Sequence, residues 1–225
     1  MLSEQELKKI QAILGYEYKN INLLKTAFTH SSLANQIKTE SNERLEFLGD
    51  SLLNLVTTRF LYNNSSYNEG DMSKIRAYLV SSDNLSRYIR KTNLISFLKT
   101  ETFNPMDNKN VMGDLFEAIV ASMFMDSNYE VVNKFITNSL CYSKNLIDET
   151  YYHTQDFKTK LQEIVQTNPN NKLEYVILNK TGPAHRPLFE VGVVFNGQLI
   201  EKSSAYNKKE AENICAKKII EEKLV

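Results

Sequence analysis

The sequence predicts two domains of different class. An all-α domain covers residues 1–147, and a smaller α+β domain with the order α-β-β-β-α covers residues 155–225. Three observations predict this. Apolar residues recur at helical spacing through the first part, where no two-residue alternation is convincing. Around residue 150 the text turns polar, "DETYYHTQD", and residues 148–154 read as a linker. Beyond it, alternation appears together with an Asn-Gly pair at 196 and 197, the mark of a hairpin turn.

Each element has its own signal. Ser3 and Glu6 make a capping box ahead of apolar Leu7, Ile10 and Leu14. "INLLKTAFTHSS" reads as a second helix. Residues 42–62 read as a long third, with Leu45, Leu48, Leu52, Leu55 and Val56 on its apolar side. "EGDMSKIRAYLVSSDNLSRYIRKTNLISFL" predicts two more, the second capped at Ser82 or Asp83. "KNVMGDLFEAIVASMFMDS" and "YEVVNKFITNSLCYSKNLI" complete the helical part. In the second domain "DFKTKLQEIVQT" is a short amphipathic helix. "NKLEYVILNKTG" is a strand with Leu173, Tyr175 and Ile177 on one face. Two strands flank the Asn-Gly turn, and "NKKEAENICAKKIIEEKL" is the closing helix.

Composition narrows the classes. The chain has 225 residues, 42% of them hydrophobic, which is enough for a core, and a formal net charge of zero. Nucleic-acid binding would therefore need a local patch. Two cysteines, Cys141 and Cys215, each inside a predicted helix, argue against a disulfide framework and fit a reducing compartment. The first residues do not resemble a signal peptide, and no apolar run reaches membrane-spanning length, so a cytoplasmic location with no membrane partner is expected.

"NERLEFLGDS" carries Glu43, Glu46 and Asp50 at i, i+3 and i+7, one face of a helix, beside apolar residues. Asp114 and Glu117 repeat the i, i+3 spacing within "VMGDLFEAIVASMF". Such acids also mark an ordinary solvated face, and Glu43 and Glu46 suit the first turn of a helix. Neither account covers Asp50 and Asp114, which each follow a glycine. Gly49 and Gly113 each cost about 1 kcal/mol in a helix interior, so they point to close approach of another backbone or a ligand. Packed together, the two helices would gather carboxylates into a hard-oxygen site suited to Mg²⁺.

These residues carry a resemblance. "NERLEFLGDSLLNLV" resembles the signature stretch of the ribonuclease III family. "LLKTAFTHSS", "NEGDMSKIRAYLVS" and "MGDLFEAIVASMFMD" are similar to further blocks of that family, in order. "DFKTKLQE", "GPAHRPLFEVGVV" and "NKKEAENICAKKI" resemble a double-stranded-RNA-binding domain. The resemblance implies an endonuclease domain over 1–147 that hydrolyses double-stranded RNA to 5′-phosphate and 3′-hydroxyl ends with staggered cuts. It implies Mg²⁺ as cofactor, with Mn²⁺ as a substitute and no small-molecule cofactor. Glu46, Asp50, Asp114 and Glu117 match the family's metal-binding acids, and Asp50 and Glu117 its catalytic positions. Glu43 and Glu69 match secondary acids of the cleavage valley, and Phe47 an aromatic of the homodimer interface. Arg44 would pair with a neighbouring acid.

For the second domain the resemblance implies minor-groove contacts by Gln162 and Glu163, a second contact by Pro183, Ala184 and His185, and phosphate contacts by Lys208 and Lys209 at a helix start. Residues 155–225 hold eleven Lys/Arg against nine Asp/Glu. One departure stands out. Ser203, Ala205 and Asn207 occupy positions that are glycine, glycine and serine in the family, where side chains would restrict approach to phosphate; Asn207 could still cap the helix. Two rival functions share this fold, the nuclease and a non-catalytic duplex-RNA-binding or assembly protein. A generic helical phosphohydrolase would lack the C-terminal blocks and would be expected to use histidine ligands, and His30 lies far from both acid pairs in sequence.

Overall fold

A computed structural model describes residues 2–101, 104–183 and 186–224. It contains two compact units, Met1–Thr154 and Gln155–Val225. The first is helical: α1 (Glu4–Leu14), α2 (Ile21–Ala27), α3 (Ser31–Ile37), α4 (Glu43–Asn64), α5 (Glu69–Leu79), α6 (Ser82–Thr92), α7 (Lys109–Asp126), α8 (Tyr129–Ser139) and α9 (Lys144–Thr154), with short 3₁₀ turns before α7.

The centre of this unit is α7. Eleven of its eighteen residues are buried, so the helix must be covered on nearly every side. Leu7 and Ile10 of α1, Leu24 of α2, Leu53 and Val56 of α4, Leu85 and Ile89 of α6, and Val132 and Ile136 of α8 share one core with it. Caps set the helix ends. Ser3 and Glu6 form the predicted box at α1. The α6 cap is Ser81, one residue before the expected position, with its hydroxyl accepting from the Asn84 amide.

Several expectations change. "INLLKTAFTHSS" is two helices, because the His30 ring caps a new one by accepting from the Ser32 amide. Cys141 lies outside any helix, in a left-handed turn (φ 53°) between α8 and α9. Leu55, expected in the core, is 54% exposed. The expected linker at 148–154 is the greater part of α9. Ile147 and Thr150 are buried, Ile147 joins Leu61, Ile75 and Leu79 in a second core, and the Tyr151 ring stacks on Tyr67 at 4.1 Å. Tyr67 also donates to Asp148 (2.9 Å). A surface rich in tyrosine and acid is polar by composition yet amphipathic by spacing, which is why it read as a linker.

The second unit runs α10 (Phe157–Gln166), β1 (Leu173–Thr181), β2 (Leu188–Phe195), β3 (Gln198–Ala205) and α11 (Lys208–Glu222). The sheet is antiparallel in the order β1-β2-β3, and the Asn196-Gly197 turn joins β2 to β3 with both residues at positive φ. Phe157, Leu161 and Val165 of α10 and Cys215, Ala216 and Ile219 of α11 pack over Val193. Leu173 and Tyr175 join them, but Ile177 is 49% exposed, since the ladder slips between Ile177 and Asn179 on this edge strand.

Candidate active site

The site begins with two glycines. A Cβ built on Gly49 would stand 2.0 Å from the backbone oxygen of Glu117, so α4 and α7 cross backbone against backbone. A Cβ on Gly113 would meet Ser82 at 3.2 Å, which seats α7 closely on α6. Glu46, one turn before Gly49, is thereby brought to the acids of α7. Carboxylate oxygens of Glu46, Asp114 and Glu117 all lie within 4.8 Å of one another, and each side chain is half-buried.

Burial and crowding raise these carboxyls. Burial, then Asp50, Asp114 and Glu46, push the Glu117 carboxyl up to about 8. Burial, then Asp114, Glu43 and Asp50, raise Glu46. Burial raises Asp114 as well, while the nearby His30 ring pulls it down. Arg44, expected to neutralise an acid, is exposed and makes no ion pair among the described residues. The donor set is oxygen throughout, so it fits a hard divalent cation and not a nitrogen- or sulfur-preferring one. Glu46, Asp114 and Glu117 would hold it.

The remaining acids stand apart from this trio. Asp50 is exposed, and the Asn54 amide donates both to its carboxylate (2.8 Å) and to its backbone oxygen (2.9 Å). Glu43 opens α4 and accepts from the Ser41 hydroxyl (3.1 Å). Glu69 opens α5 and accepts from Ser73 (3.0 Å). Phe47 is 79% exposed and lines up along α4 with Leu55 and with Tyr62, which is 76% exposed. Sequence reasoning missed two residues. Asn54 sits at i+4 from Asp50, a spacing that could have flagged it. His30 is 84 positions before Asp114 in the sequence, and only the fold brings it near.

In the second unit, Gln162 is half-buried and Glu163 exposed on α10. Pro183 is exposed after the turn at Gly182, while Ala184 and His185 lie outside the described residues. Lys208 and Lys209 are exposed at the start of α11, and Asn207 caps that helix by accepting from the Lys209 amide (2.9 Å). The glycine replacements do not crowd this face as expected. Ser203 donates to the Ala211 carbonyl (2.7 Å), Ala205 is buried, and neither has positive φ.

A helical unit with an acid trio shared between two helices, followed by an α-β-β-β-α unit with lysines at a helix start, fits the class of metal-dependent nucleases with an appended RNA-binding module. Residues 20–144 match the model of a "Ribonuclease-III-like" family, and residues 157–223 match "Double-stranded RNA binding motif". The chain is 37% identical to ribonuclease 3 of Clostridium beijerinckii, over 98% of this chain and 97% of that protein. It is 35% identical to ribonuclease 3 of Streptococcus gordonii, over 96% and 97% respectively. Its first unit is similar to the solved nuclease domain of ribonuclease III from Campylobacter jejuni: TM-score 0.56, 31% identity, 60% of this chain and 95% of that one. The chain belongs to the ribonuclease III family and is an endoribonuclease of that type.

The raised Glu117 carboxyl has a measurable consequence in divalent-free buffer. The folded chain keeps a proton there that the unfolded chain releases above the ordinary value of 4.5. This contribution to stability is complete below that value and is lost progressively as pH rises toward about 8. Glu117→Gln has no such proton to lose. Its melting temperature should exceed the wild type's by a margin that widens from about pH 5 to about pH 8. Calorimetric scans across that range check this, and a margin independent of pH contradicts it.

Proposed function

We propose that this chain hydrolyses phosphodiesters in double-stranded RNA with Mg²⁺ as cofactor, Mn²⁺ substituting, to leave 5′-phosphate and 3′-hydroxyl ends. The observation that carries the reading is the Glu46–Asp114–Glu117 trio, three half-buried carboxylates with ligand atoms within 4.8 Å of one another. A divalent ion there supplies Lewis-acid activation of water and charge stabilisation at the leaving oxygen. Glu117 would help to hold the ion through its carboxylate and would orient the attacking water. Asp50 adds negative charge at the open edge of the trio. Glu43 and Glu69 are secondary acids beside the duplex.

The second unit supplies affinity. Lys208 and Lys209, at the positive end of α11, contact phosphate, and Gln162, Glu163, Pro183, Ala184 and His185 contact 2′-hydroxyls in the minor groove. The chain acts in the cytoplasm on structured RNA such as ribosomal precursors, messenger leaders and antisense duplexes. It works as a homodimer, with one site for each strand. Phe47, Leu55 and Tyr62 form an apolar line on α4 that a second copy would cover. The Campylobacter jejuni relative is described as having a region involved in dimer formation.

Two measurements test this. Glu117→Gln should keep the fold and the duplex-RNA affinity measured in Ca²⁺, while cleavage in Mg²⁺ falls about 10³-fold, equivalent to about 4 kcal/mol of transition-state stabilisation. Wild-type cleavage by this variant would sink the site assignment. Phe47→Ala should shift the association equilibrium toward monomer in sedimentation or light scattering and uncouple cutting of the two strands. A wild-type chain that is monomeric at working concentrations would refute the dimer.

A further inference from the structure

The acid that stands outside the trio is the one with a dedicated partner. Asn54 lies one turn after Asp50 on α4, and its side-chain NH₂ donates to Asp50 twice, at 2.8 Å to the carboxylate and at 2.9 Å to the backbone oxygen. Both partners are acceptors, so the amide orientation is fixed by chemistry and both of its hydrogens are used. Asp50 is exposed, so its carboxylate would otherwise exchange rotamers freely. A neutral donor restricts the carboxylate to one arrangement without neutralising it, as lysine or arginine at this position would. Asp50 is also the largest charged contributor to the raised Glu117 carboxyl, so its charge reaches the trio.

We propose that Asn54 is a positioning residue of this nuclease, whose amide holds the Asp50 carboxylate facing the Glu46–Asp114–Glu117 trio and so sets both cation affinity and cleavage rate. The inference rests on the functional reading above. Outer partners of metal-binding side chains typically contribute about 10- to 100-fold in affinity or activity.

The design has a useful sign. Asn is a weak helix former and Ala the best, so Asn54→Ala at this half-buried site should leave the metal-free melting temperature equal or higher. A purely structural hydrogen bond predicts the opposite, a fall in stability with unchanged catalysis.

The experiment uses the full chain, with Asp50→Asn as reference. For Asn54→Ala we expect kcat on duplex RNA to fall about tenfold, the Mg²⁺ concentration giving half-maximal rate to rise several-fold, and RNA affinity in Ca²⁺ to stay level. The rise in melting temperature produced by Mg²⁺ alone, with no RNA present, should shrink. Asn54→Ser, which retains a shorter donor, should recover part of the loss. Wild-type rate and Mg²⁺ dependence in Asn54→Ala, beside an inactive Asp50→Asn, would overturn the positioning role and leave the functional reading intact. Full activity in Asp50→Asn itself would instead overturn the role of Asp50 and the inference with it.

Discussion

Everything at the acidic site depends on how closely two helix backbones pass. At Gly49 the α4 backbone meets the Glu117 carbonyl so directly that a single methyl has no room. Helix axes normally keep about 8–10 Å apart because side chains intervene, and glycine removes one of them. The acid on α4 and the two on α7 are then forced together, and burial beside a dense core denies them the water that would screen them. Folding alone does not favour this arrangement. Glycine costs helix stability, and a Glu117 carboxyl pushed up to about 8 reflects burial first and then repulsion from Asp50, Asp114 and Glu46, which a cation would relieve. The core around α7 supplies the rigidity that keeps the trio in place without the ion.

The second unit solves a different problem, with exposed charge and no crowding. Its face is set by α11, whose first turn is fixed by the Asn207 cap and whose buried Glu212 accepts from Lys158 (2.7 Å) and lies 3.7 Å from Lys208. That carboxylate ties α10 to α11, so the two helices that present Gln162, Glu163, Lys208 and Lys209 are joined by an ion pair as well as by the Phe157–Leu161–Ile219 core. Ser203 and Ala205 turn inward and so leave the helix start open, although the sequence comparison with the family's glycines pointed the other way.

Much of this was legible from residue spacing. Alternation and the Asn-Gly turn located the sheet, and i, i+3 acids beside glycines located the site, because both patterns are local and imposed by backbone geometry. Properties that depend on a neighbour's identity were not. Leu55 and Phe47 follow helical spacing like core residues, and only the packing of α4 against α7 shows that they face outward. The α9 helix looked like a linker since its burial rests on tyrosine rings and a partner, α5, far away in sequence. His30 could not be connected with Asp114 by any periodicity, for the link is tertiary. Asp50 fell on the predicted acidic stripe, but its separation from the trio and its bond to Asn54 required side-chain geometry.

The most direct test of the account is to place one methyl at the helix crossing. Gly49→Ala improves intrinsic helix propensity by about 1 kcal/mol, so a helix free of close contacts would be stabilised by it. If the crossing sets the site, α4 must instead move away from α7. The variant should then lose about 1–3 kcal/mol or more of stability, and Mg²⁺ binding, followed by calorimetry on the same preparation, should weaken together with cleavage. A Gly49→Ala protein that is as stable as the wild type and binds Mg²⁺ as tightly would contradict the claim that this backbone contact assembles the site.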